Sequence, residues 1–574
     1  MTPTPTAPDR NLRPGGFSTL SEALDRAAEG PTGVNIHSAR GELIEVLPYA
    51  QLREQAQALA ARYLAAGLVA GDRVALAADS TGDFLRAFFA CQYAGLVPAP
   101  TPLPAPFGGK DVYVEHIRRM LVSADVRAAF APPELGPWFA EAAQGLALHV
   151  AGTLDDLPET GDPARPAADP NGLCYLQYSS GSTRFPVGVA VTQSALVANV
   201  LAIGGPQGLA VGAADRAVSW LPLYHDMGLV GMMLTGIAFQ VSIDLLPTAA
   251  FVRRPGLWLD LISQRRGTIS YAPTFGYDLA ARRAGSLAMD TFDLSSWRVA
   301  GVGGDMIRPG PLRAFADAFA PAGFDPSAFV ASYGMAEATL ALTLTRPGHG
   351  LRVDTADLER LEQVRIAGPV HAGGRGREFA LCGAVLPGHR LEVRGEDGAS
   401  LAERQVGRIF AEGPSLMKAY FGAPDETRGV LSADGWLDTG DLGYLLDGQI
   451  VITGRAKDLI IVNGRNVWPQ DLEWTAESQI EALRSGDVAA FQVAADDDRV
   501  VALVQCRTRE PDKRAELRAS IASTLRVAHG LEVEVVLAPP HSLPQTSSGK
   551  LSRSRARSLY LAGAFQDATQ PVTA

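Results

Sequence analysis

Helical patterns alternate with short apolar strand patterns through the first half of the chain. Thr19 and Glu22 have the spacing of a capping box, which predicts a helix that begins there and stops before Gly30. Further helices are predicted over 49–66 and 83–93, and short strands over 73–77, 173–178, 217–220 and 269–272. Strands that are apolar throughout are typical of buried, largely parallel sheets, so the alternation predicts an α/β fold with helices on both faces of parallel-rich sheets.

The pattern changes after about residue 380. Short alternating runs such as 390–394 and 406–412, separated by glycine turns, predict a β-rich subdomain. The segment Gly454–Asp458 then precedes a compact unit with helices predicted over 471–483 and 513–527. We therefore predict a large N-terminal domain over 1–455 and a small, mobile α+β C-terminal domain over 456–574.

The charge balance limits the partners of the chain. With 51 basic and 62 acidic residues the net charge is -11, which disfavours nucleic acid or an anionic membrane as the main partner. The four cysteines lie far apart and predict reduced thiols in a cytoplasmic protein. The first residues lack the apolar core of a secretory signal, and the longest apolar run, 227–243, is interrupted and too short to predict a membrane span.

A loop of small residues joins two apolar runs near residue 180. Such residues let a backbone approach a polyphosphate closely, so that N–H groups and hydroxyls bind its oxygens. The loop has no Walker A lysine, and by itself it fits an ordinary surface turn equally well. The predicted phosphate-binding residues are Ser179, Ser180, Gly181, Ser182 and Thr183.

Further motifs follow in a fixed order: 220–228 (WLPLYHDMG), 333–337 (YGMAE), 439–441 (TGD), 454–455 (GR) and 549–550 (GK). Together with the small-residue loop they resemble the acyl-adenylate-forming superfamily, which includes acyl-CoA synthetases, luciferases and the adenylation domains of peptide synthetases. The residues at 176–184 (LQYSSGSTR), 220–229, 333–340 and 463–473 (NGRNVWPQDLE) are most similar to those of the fatty acyl-AMP ligases. Arg184 and Val187 stand where most relatives have glycine and lysine.

The resemblance implies the reaction: ATP and Mg²⁺ activate a medium- or long-chain fatty acid as acyl-AMP, with release of pyrophosphate. Positioning and charge neutralisation dominate such chemistry. The resemblance makes Lys550 the adenylation lysine and places His225 beside the acyl carboxylate, although a structural histidine and a solvated lysine are alternatives. It assigns Mg²⁺ to Glu337 and Thr183. It assigns the nucleotide to Gly303, Gly304, Asp305, Ser332, Tyr333, Gly334, Met335, Asp441 and Arg455.

Two further roles follow from the same resemblance. Lys457 matches the hinge about which the small domain rotates between half-reactions, the alternative being an ordinary linker charge. The apolar residues after His225, together with a later aromatic, are candidates for the acyl pocket, although residues with helical spacing are more often plain core. These candidates are Met227, Leu229, Met232 and Phe275.

A different segment indicates which molecule accepts the acyl group. About forty residues separate 333–340 from 382–388, and they include a helix-like stretch over 355–363. This resembles an insertion that disfavours CoA thioesters in fatty acyl-AMP ligases, and it implies transfer to a separate holo acyl carrier protein in lipid, lipopeptide or polyketide assembly. The alternatives are an acyl-CoA synthetase and an inactive sensor or scaffold that binds acyl-AMP.

Overall fold

The computed structural model describes residues 12–104, 109–159, 169–178, 187–287, 289–462, 464–494, 497–545 and 551–565. The chain divides into two compact units. The first comprises Met1–Arg352, Ala380–Leu391 and Ala411–Leu437, and the second comprises Val353–Phe379, Glu392–Phe410 and Asp438–Ala574. The predicted boundary between residues 455 and 456 lies inside the second unit, and it stays a prediction about which part of the chain moves.

A nine-stranded sheet, the central sheet, forms the middle of the first unit. Its six inner strands run parallel, and antiparallel strands complete both edges. In spatial order the strands are Ala384–Val385, Ala341–Leu344, Phe329–Gly334, Val299–Val302, Ile269–Ala272, Arg216–Ser219, Ser242–Leu245, Gly33–His37 and Leu43–Pro48. Parallel inner strands place several carboxyl ends at one edge of the sheet, where α/β proteins bind ligands.

Two smaller sheets belong to the same unit. One is parallel, in the order Val97–Thr101, Arg73–Ala77, Val126–Phe130 and Val150–Gly152. The other is antiparallel, in the order Ala419–Tyr420, Gly188–Thr192 and Leu173–Tyr178. They share an apolar core with the helix Lys110–Ser123, which explains the uninterrupted apolar runs in their sequences.

The first helix of the first unit, Leu20–Ala27, begins with a capping box. Thr19 Oγ1 accepts a hydrogen bond from Glu22 N, and Glu22 Oε2 accepts one from Thr19 N, as predicted. The α-helices are Leu20–Ala27, Tyr49–Ala65, Gly82–Ala94, Lys110–Ser123, Gly136–Ala142, Gln193–Gly204, Thr235–Ala238, Thr248–Arg253, Gly256–Arg265, Thr274–Arg283, Pro309–Phe319 and Pro424–Val430. A π-helix, Met227–Leu234, precedes the helix Thr235–Ala238 directly.

The second unit is richer in antiparallel strands, as the sequence after residue 380 predicts. Its sheets are Val353–Asp357 with Gly376–Ala380; Arg390–Arg394, Gly407–Glu412, Leu437–Leu446 and Gln449–Arg455; Ile460–Val462 with Arg465–Val467; and Val488–Ala494, Asp497–Gln505 and Val533–Ala538. Its α-helices are Leu358–Val364, Pro469–Gln479, Pro511–His529 and Arg553–Leu561.

The predicted α/β class is confirmed, with element ends displaced by up to four residues. The strands over 173–178 and 269–272 match residue for residue, whereas the helix predicted over 471–483 is Pro469–Gln479. All four cysteines are buried and unbridged. Within the described ranges, no helix combines the length and the hydropathy that crossing a bilayer requires.

Candidate active site

The predicted phosphate loop, Ser179 to Thr183, and the predicted adenylation residue Lys550 lie outside the described residues. The strands on either side of the loop are described and form an antiparallel pair, in which Tyr178 is the partner of Gly188. Gln177 Nε2 donates a hydrogen bond to the carbonyl of Tyr224, at 2.7 Å. The root of the predicted loop therefore lies beside the segment that carries His225.

The predicted adenine wall lies at the carboxyl ends of two neighbouring strands of the central sheet. Val302 is the last residue of its strand and pairs with Ala331, so Gly303 leaves the sheet beside Ser332, whose own strand continues to Gly334. The Ser332 hydroxyl donates to the carbonyl of Val302 at 3.1 Å, and a Cβ on Gly303 would lie 2.4 Å from Ser332 Oγ. Glycine is thus the residue that allows this close approach.

The turn after Gly303 has its own backbone requirement. Gly304 has φ +78°, a left-handed conformation that other residues adopt at a cost, and Asp305 Oδ1 accepts a hydrogen bond from the N–H of Met306. The Sδ and Cε atoms of Met227 come within 4 Å of the Cβ position of Gly304. The structure therefore brings together the glycine turn, Ser332 and the start of the predicted acyl wall, with Tyr333, Gly334 and Met335 next in the chain.

Glu337, the predicted Mg²⁺ ligand, lies in a short 3₁₀ turn, Ala336–Ala338, and is 9% exposed. The Tyr420 hydroxyl donates to Glu337 Oε1 at 2.7 Å, and the N–H of Met417 donates to the Glu337 carbonyl. A carboxylate held in this way offers a hard oxygen of the kind that Mg²⁺ prefers. Within the described part of the chain, no three His, Cys, Asp or Glu side chains cluster as a metal site.

His225 is positioned by its neighbour. Its Nδ1 lies 2.7 Å from Asp226 Oδ1, and the buried Asp226 carboxylate also caps the π-helix by accepting the N–H of Met227. The imidazole is about one-fifth exposed. With Nδ1 held by the carboxylate, Nε2 is the ring nitrogen left to face a substrate. The structural alternative for His225 stays open.

The predicted acyl residues are divided between two elements. Met227, Leu229 and Met232 belong to the π-helix and are buried, and Met227 and Met232 are five residues apart, which is the hydrogen-bond step of a π-helix, so they share one face. Phe275 lies on the helix Thr274–Arg283, is 38% exposed and packs edge-on against Trp220, with ring centroids 6.1 Å apart. The sequence predicted apolar helical residues here but not the π-helix, which has no simple sequence signature.

The second unit carries the remaining residues predicted to bind the nucleotide. Asp441 and Arg455 are cross-strand partners, and Arg455 Nε lies 3.1 Å from Asp441 Oδ1. Asp441 is buried while the Arg455 side chain is about half exposed. Gly440, with φ +73°, lies in the same strand just before Asp441. Asp441 and Arg455 therefore form one ion pair across a hairpin, and their common role on the ribose stays a prediction.

Lys457, the predicted hinge, lies in a 3₁₀ turn, Ala456–Asp458. A Cβ on the preceding Gly454 would lie 2.7 Å from Trp468 Cδ1, so the chain passes close against that ring. Asp458 pairs with Arg553 at 3.1 Å, and Arg553 also pairs with Glu473 at 2.6 Å. These contacts connect the hinge turn to the helices that follow it.

The predicted insertion forms an anchor that sequence reasoning did not find. Its helix, Leu358–Val364, buries Glu362, which accepts from Arg465 Nη2 at 2.6 Å through its carboxylate and from Asn466 Nδ2 at 2.9 Å through its carbonyl. Further along, Arg377 Nε lies 2.8 Å from Asp471 Oδ1, and both side chains are at most 10% exposed. The residues lie about one hundred positions apart, and no local pattern connects them.

Burial shifts the pKa values of both members of the Arg377–Asp471 pair. It raises the pKa of Asp471 to about 6, because desolvation outweighs the attraction of Arg377, and it lowers the pKa of the Arg377 guanidinium. The guanidinium also lies over the rings of Phe379 and Trp468, at 4.3 and 5.0 Å from their centroids. The pair joins the insertion to the helix Pro469–Gln479.

Comparisons with known proteins find relatives along nearly the whole chain. The model of the AMP-binding enzyme family matches residues 31–421. A Caulobacter vibrioides protein with the provisional name acyl-CoA synthetase is 58% identical over 98% of this chain and 99% of its own length. The medium-chain-fatty-acid–acyl-carrier-protein ligase JamA of Moorena producens is 31% identical over 95% of this chain and 96% of its own.

The fold also matches solved structures. One, from structural and functional studies of fatty acyl-adenylate ligases from E. coli and L. pneumophila, superposes with a TM-score of 0.92 and is 43% identical. The match covers 96% of this chain and 99% of the other.

Proposed function

Because the chain belongs to the AMP-binding enzyme family, we propose that it is a fatty acyl-AMP ligase that passes its acyl group to a separate carrier protein. A medium- or long-chain fatty acid attacks the α-phosphate of ATP, acyl-AMP forms and pyrophosphate leaves. The acyl group then moves to the phosphopantetheine thiol of a holo acyl carrier protein, and AMP is released. The site of action we propose is the cytoplasm.

The residues of the site suit the first half-reaction. Ser332, Gly303 and Gly304 form a close-packed wall for a flat base, and Asp441 with Arg455 offers a carboxylate and a guanidinium to the ribose. His225, with Nδ1 held by Asp226, offers Nε2 to the acyl carboxylate. Glu337 would hold Mg²⁺, which neutralises phosphate charge when bound, while Thr183 and Lys550 are proposed to complete the metal and phosphate contacts.

The observation that carries the choice of acceptor is the anchored insertion. In the family that this chain resembles, thioester formation on CoA requires rotation of the small domain about the hinge. Here the insertion contacts the segment just after the hinge, through Glu362 with Arg465 and through the buried Arg377–Asp471 pair. Breaking a buried ion pair costs several kcal/mol, so the anchor opposes that rotation. We propose that a carrier protein, which contacts the enzyme over a larger surface than CoA does, overcomes this opposition and that CoA does not.

The competing function is an acyl-CoA synthetase, which the name of the Caulobacter relative favours. The test offers the purified protein ATP, Mg²⁺ and fatty acids together with CoA, a holo carrier protein or the same carrier in its apo form, and identifies products by mass spectrometry. We expect acyl-AMP in every case and acyl transfer to the holo carrier alone. Abundant acyl-CoA would replace the proposal with the synthetase, and binding of acyl-AMP without turnover would indicate a sensor.

Two glutamates on one helix give a matched pair of variants. Glu362→Gln weakens the buried pairing with Arg465, whereas Glu359→Gln changes an exposed residue on the same helix. We expect Glu362→Gln to raise the yield of acyl-CoA relative to acyl-AMP and Glu359→Gln to leave it unchanged. If both variants leave the product ratio unchanged, the anchor does not select the acceptor.

A further inference from the structure

Tyr271 lies in the middle of the central sheet and directly opposite a glycine. Its strand, Ile269–Ala272, runs parallel to Val299–Val302, and Tyr271 is the register partner of Gly301. A Cβ on Gly301 would lie 2.2 Å from three atoms of the Tyr271 ring, Cε1, Cε2 and Cζ. The ring therefore lies flat across Gly301 and fits only because that residue has no side chain.

The register of the sheet shows which face carries this ring. Ile243 lies against Gly236, in the helix that directly follows the π-helix. Ile243 pairs with Ala217, and Ala217 pairs with Ile269. Since paired residues share a face and side chains alternate along a strand, Tyr271 is on the face of the π-helix and its continuation.

The opposite face is covered by different elements. Ser270 accepts from Trp258 Nε1 at 2.8 Å and donates to the carbonyl of Val218. Tyr277, which packs against the ring of Trp258, donates from its hydroxyl to the carbonyl of Gly301 at 2.9 Å. Gly301 thus lies between two tyrosines, and the one that belongs to the aromatic core has a partner for its hydroxyl.

The hydroxyl of Tyr271 differs from that of Tyr277. It is buried and has no hydrogen-bond partner in the part of the chain that the structure describes, and the residue as a whole is 7% exposed. An unpaired buried hydroxyl costs stability, and in a native protein it is typically explained by a ligand or water that the site receives. Burial raises the pKa of Tyr271, so the phenol is neutral at physiological pH.

The depth of Tyr271 follows from the strand geometry. Gly301 precedes Gly303 by two residues, so the ring lies roughly 6–7 Å below the carboxyl end of the strand. Met227, at the start of the π-helix, contacts Gly304 at that end, and Met232 lies one π-turn further along the same face. An acyl chain that followed this face from Met227 would therefore reach the Tyr271 ring within roughly 6–7 Å.

We propose that Tyr271 is a specificity-determining residue that ends the acyl site and limits this enzyme to medium-chain fatty acids. The inference rests on the proposed function, because it concerns the acid that the same site activates. Gly301 is required for this role, since the absence of a side chain there lets the Tyr271 ring pack flat against the sheet. The volume of the ring sets the limit, and the hydroxyl is not required for it.

The test compares acyl-AMP formation, measured as pyrophosphate release, for octanoate, decanoate, laurate, myristate and palmitate. For the wild type we expect kcat/KM to fall at least about tenfold from octanoate to palmitate, since each misplaced methylene costs about tenfold or more. Tyr271→Ala should raise kcat/KM for palmitate at least about tenfold, while Tyr271→Phe, which keeps the ring, should retain the wild-type profile. Gly301→Ala should shift the optimum to shorter acids, because its methyl group lifts the ring.

The outcomes separate this inference from the proposed function. If the wild type forms acyl-AMP from palmitate as efficiently as from octanoate, or if Tyr271→Ala and Gly301→Ala both leave the profile unchanged, the inference is wrong and acyl-AMP formation stands. If no acid yields acyl-AMP with the wild type, the proposed function fails and the inference fails with it. Thermal unfolding of each variant verifies folding, and Tyr271→Leu, which leaves a smaller cavity, replaces Tyr271→Ala if the latter does not fold.

Discussion

Replacing Arg377 and replacing Asp471 should change the stability of the protein by different amounts, although the two residues form one buried ion pair. Arg377→Met removes the cation and leaves a carboxyl group that becomes neutral by binding a proton. Asp471→Asn replaces the carboxyl group by a neutral amide of the same shape, as in the protonated acid. Both residues are at most 10% exposed, so water screens neither charge. We expect Arg377→Met to be the more destabilising change at pH 7, where Asp471 is ionised.

The magnitudes follow from the pKa of Asp471, which burial raises from 3.8 to about 6. An acid with a raised folded-state pKa is favoured by protonation, so its cost grows as pH rises from about 4 to about 6 and is then constant. Without Arg377 the pKa rises further and the cost keeps growing above pH 6. At about 1.4 kcal/mol per pH unit, Arg377→Met should lose about 1.4 kcal/mol relative to wild type at pH 7 and almost nothing at pH 5. Asp471→Asn cannot ionise, so it should avoid this cost and be more stable than wild type by about 3 kcal/mol at pH 7 and by about half of that at pH 5.

Urea unfolding at pH 5 and pH 7, followed by tryptophan fluorescence, measures these differences, since Trp468 is buried beside the pair. The double variant Arg377→Met/Asp471→Leu is the control, because it removes both charges and should recover most of the loss seen with Arg377→Met at pH 7. The reasoning is refuted if Asp471→Asn is destabilising at pH 7, or if the loss of stability of Arg377→Met does not shrink as the pH falls.

Three further predictions concern the site and the fold. Asp441→Asn should raise the KM for ATP roughly 10-fold, at a loss of about 1.5 kcal/mol for a charge-assisted contact, with little effect on the KM for the acid in pyrophosphate-release assays. Tyr420→Phe should raise the Mg²⁺ concentration for half-maximal activity about 5-fold, because Glu337 loses the hydrogen bond that orients it; an unchanged Mg²⁺ titration would contradict that role. Thr19→Ala should cost about 1 kcal/mol in urea unfolding, whereas Ser21→Ala, at the second residue of the helix, should cost less.

Local residue patterns predicted much of the fold. The capping box at Thr19 and Glu22 fixed the first helix, because its two hydrogen bonds involve neighbours only. The strands Leu173–Tyr178 and Ile269–Ala272 were predicted residue for residue, since largely apolar runs between turn residues suit buried strands. Element ends were less certain, as at Pro469–Gln479, where packing ends the helix four residues before the apolar pattern does.

Contacts between residues far apart in the chain were not predicted from the sequence. Tyr420 and Glu337 are 83 residues apart, and Arg377 and Asp471 are farther still, so no local pattern marks either pair. The π-helix Met227–Leu234 was predicted only as an apolar helical run, because the apolar pattern does not distinguish an i→i+5 from an i→i+4 hydrogen-bond ladder.

By itself, the sequence determined the α/β class, the order of the motifs and the chemical types at the site, because these depend on composition, spacing and neighbours along the chain. Only the tertiary structure decided that Ser332 packs against Gly303, that Arg377 finds Asp471 and that the ring of Tyr271 lies on Gly301. Each of these contacts depends on sheet register or on the packing of distant elements. Register places residues from separate strands opposite each other, and no single segment of sequence encodes it.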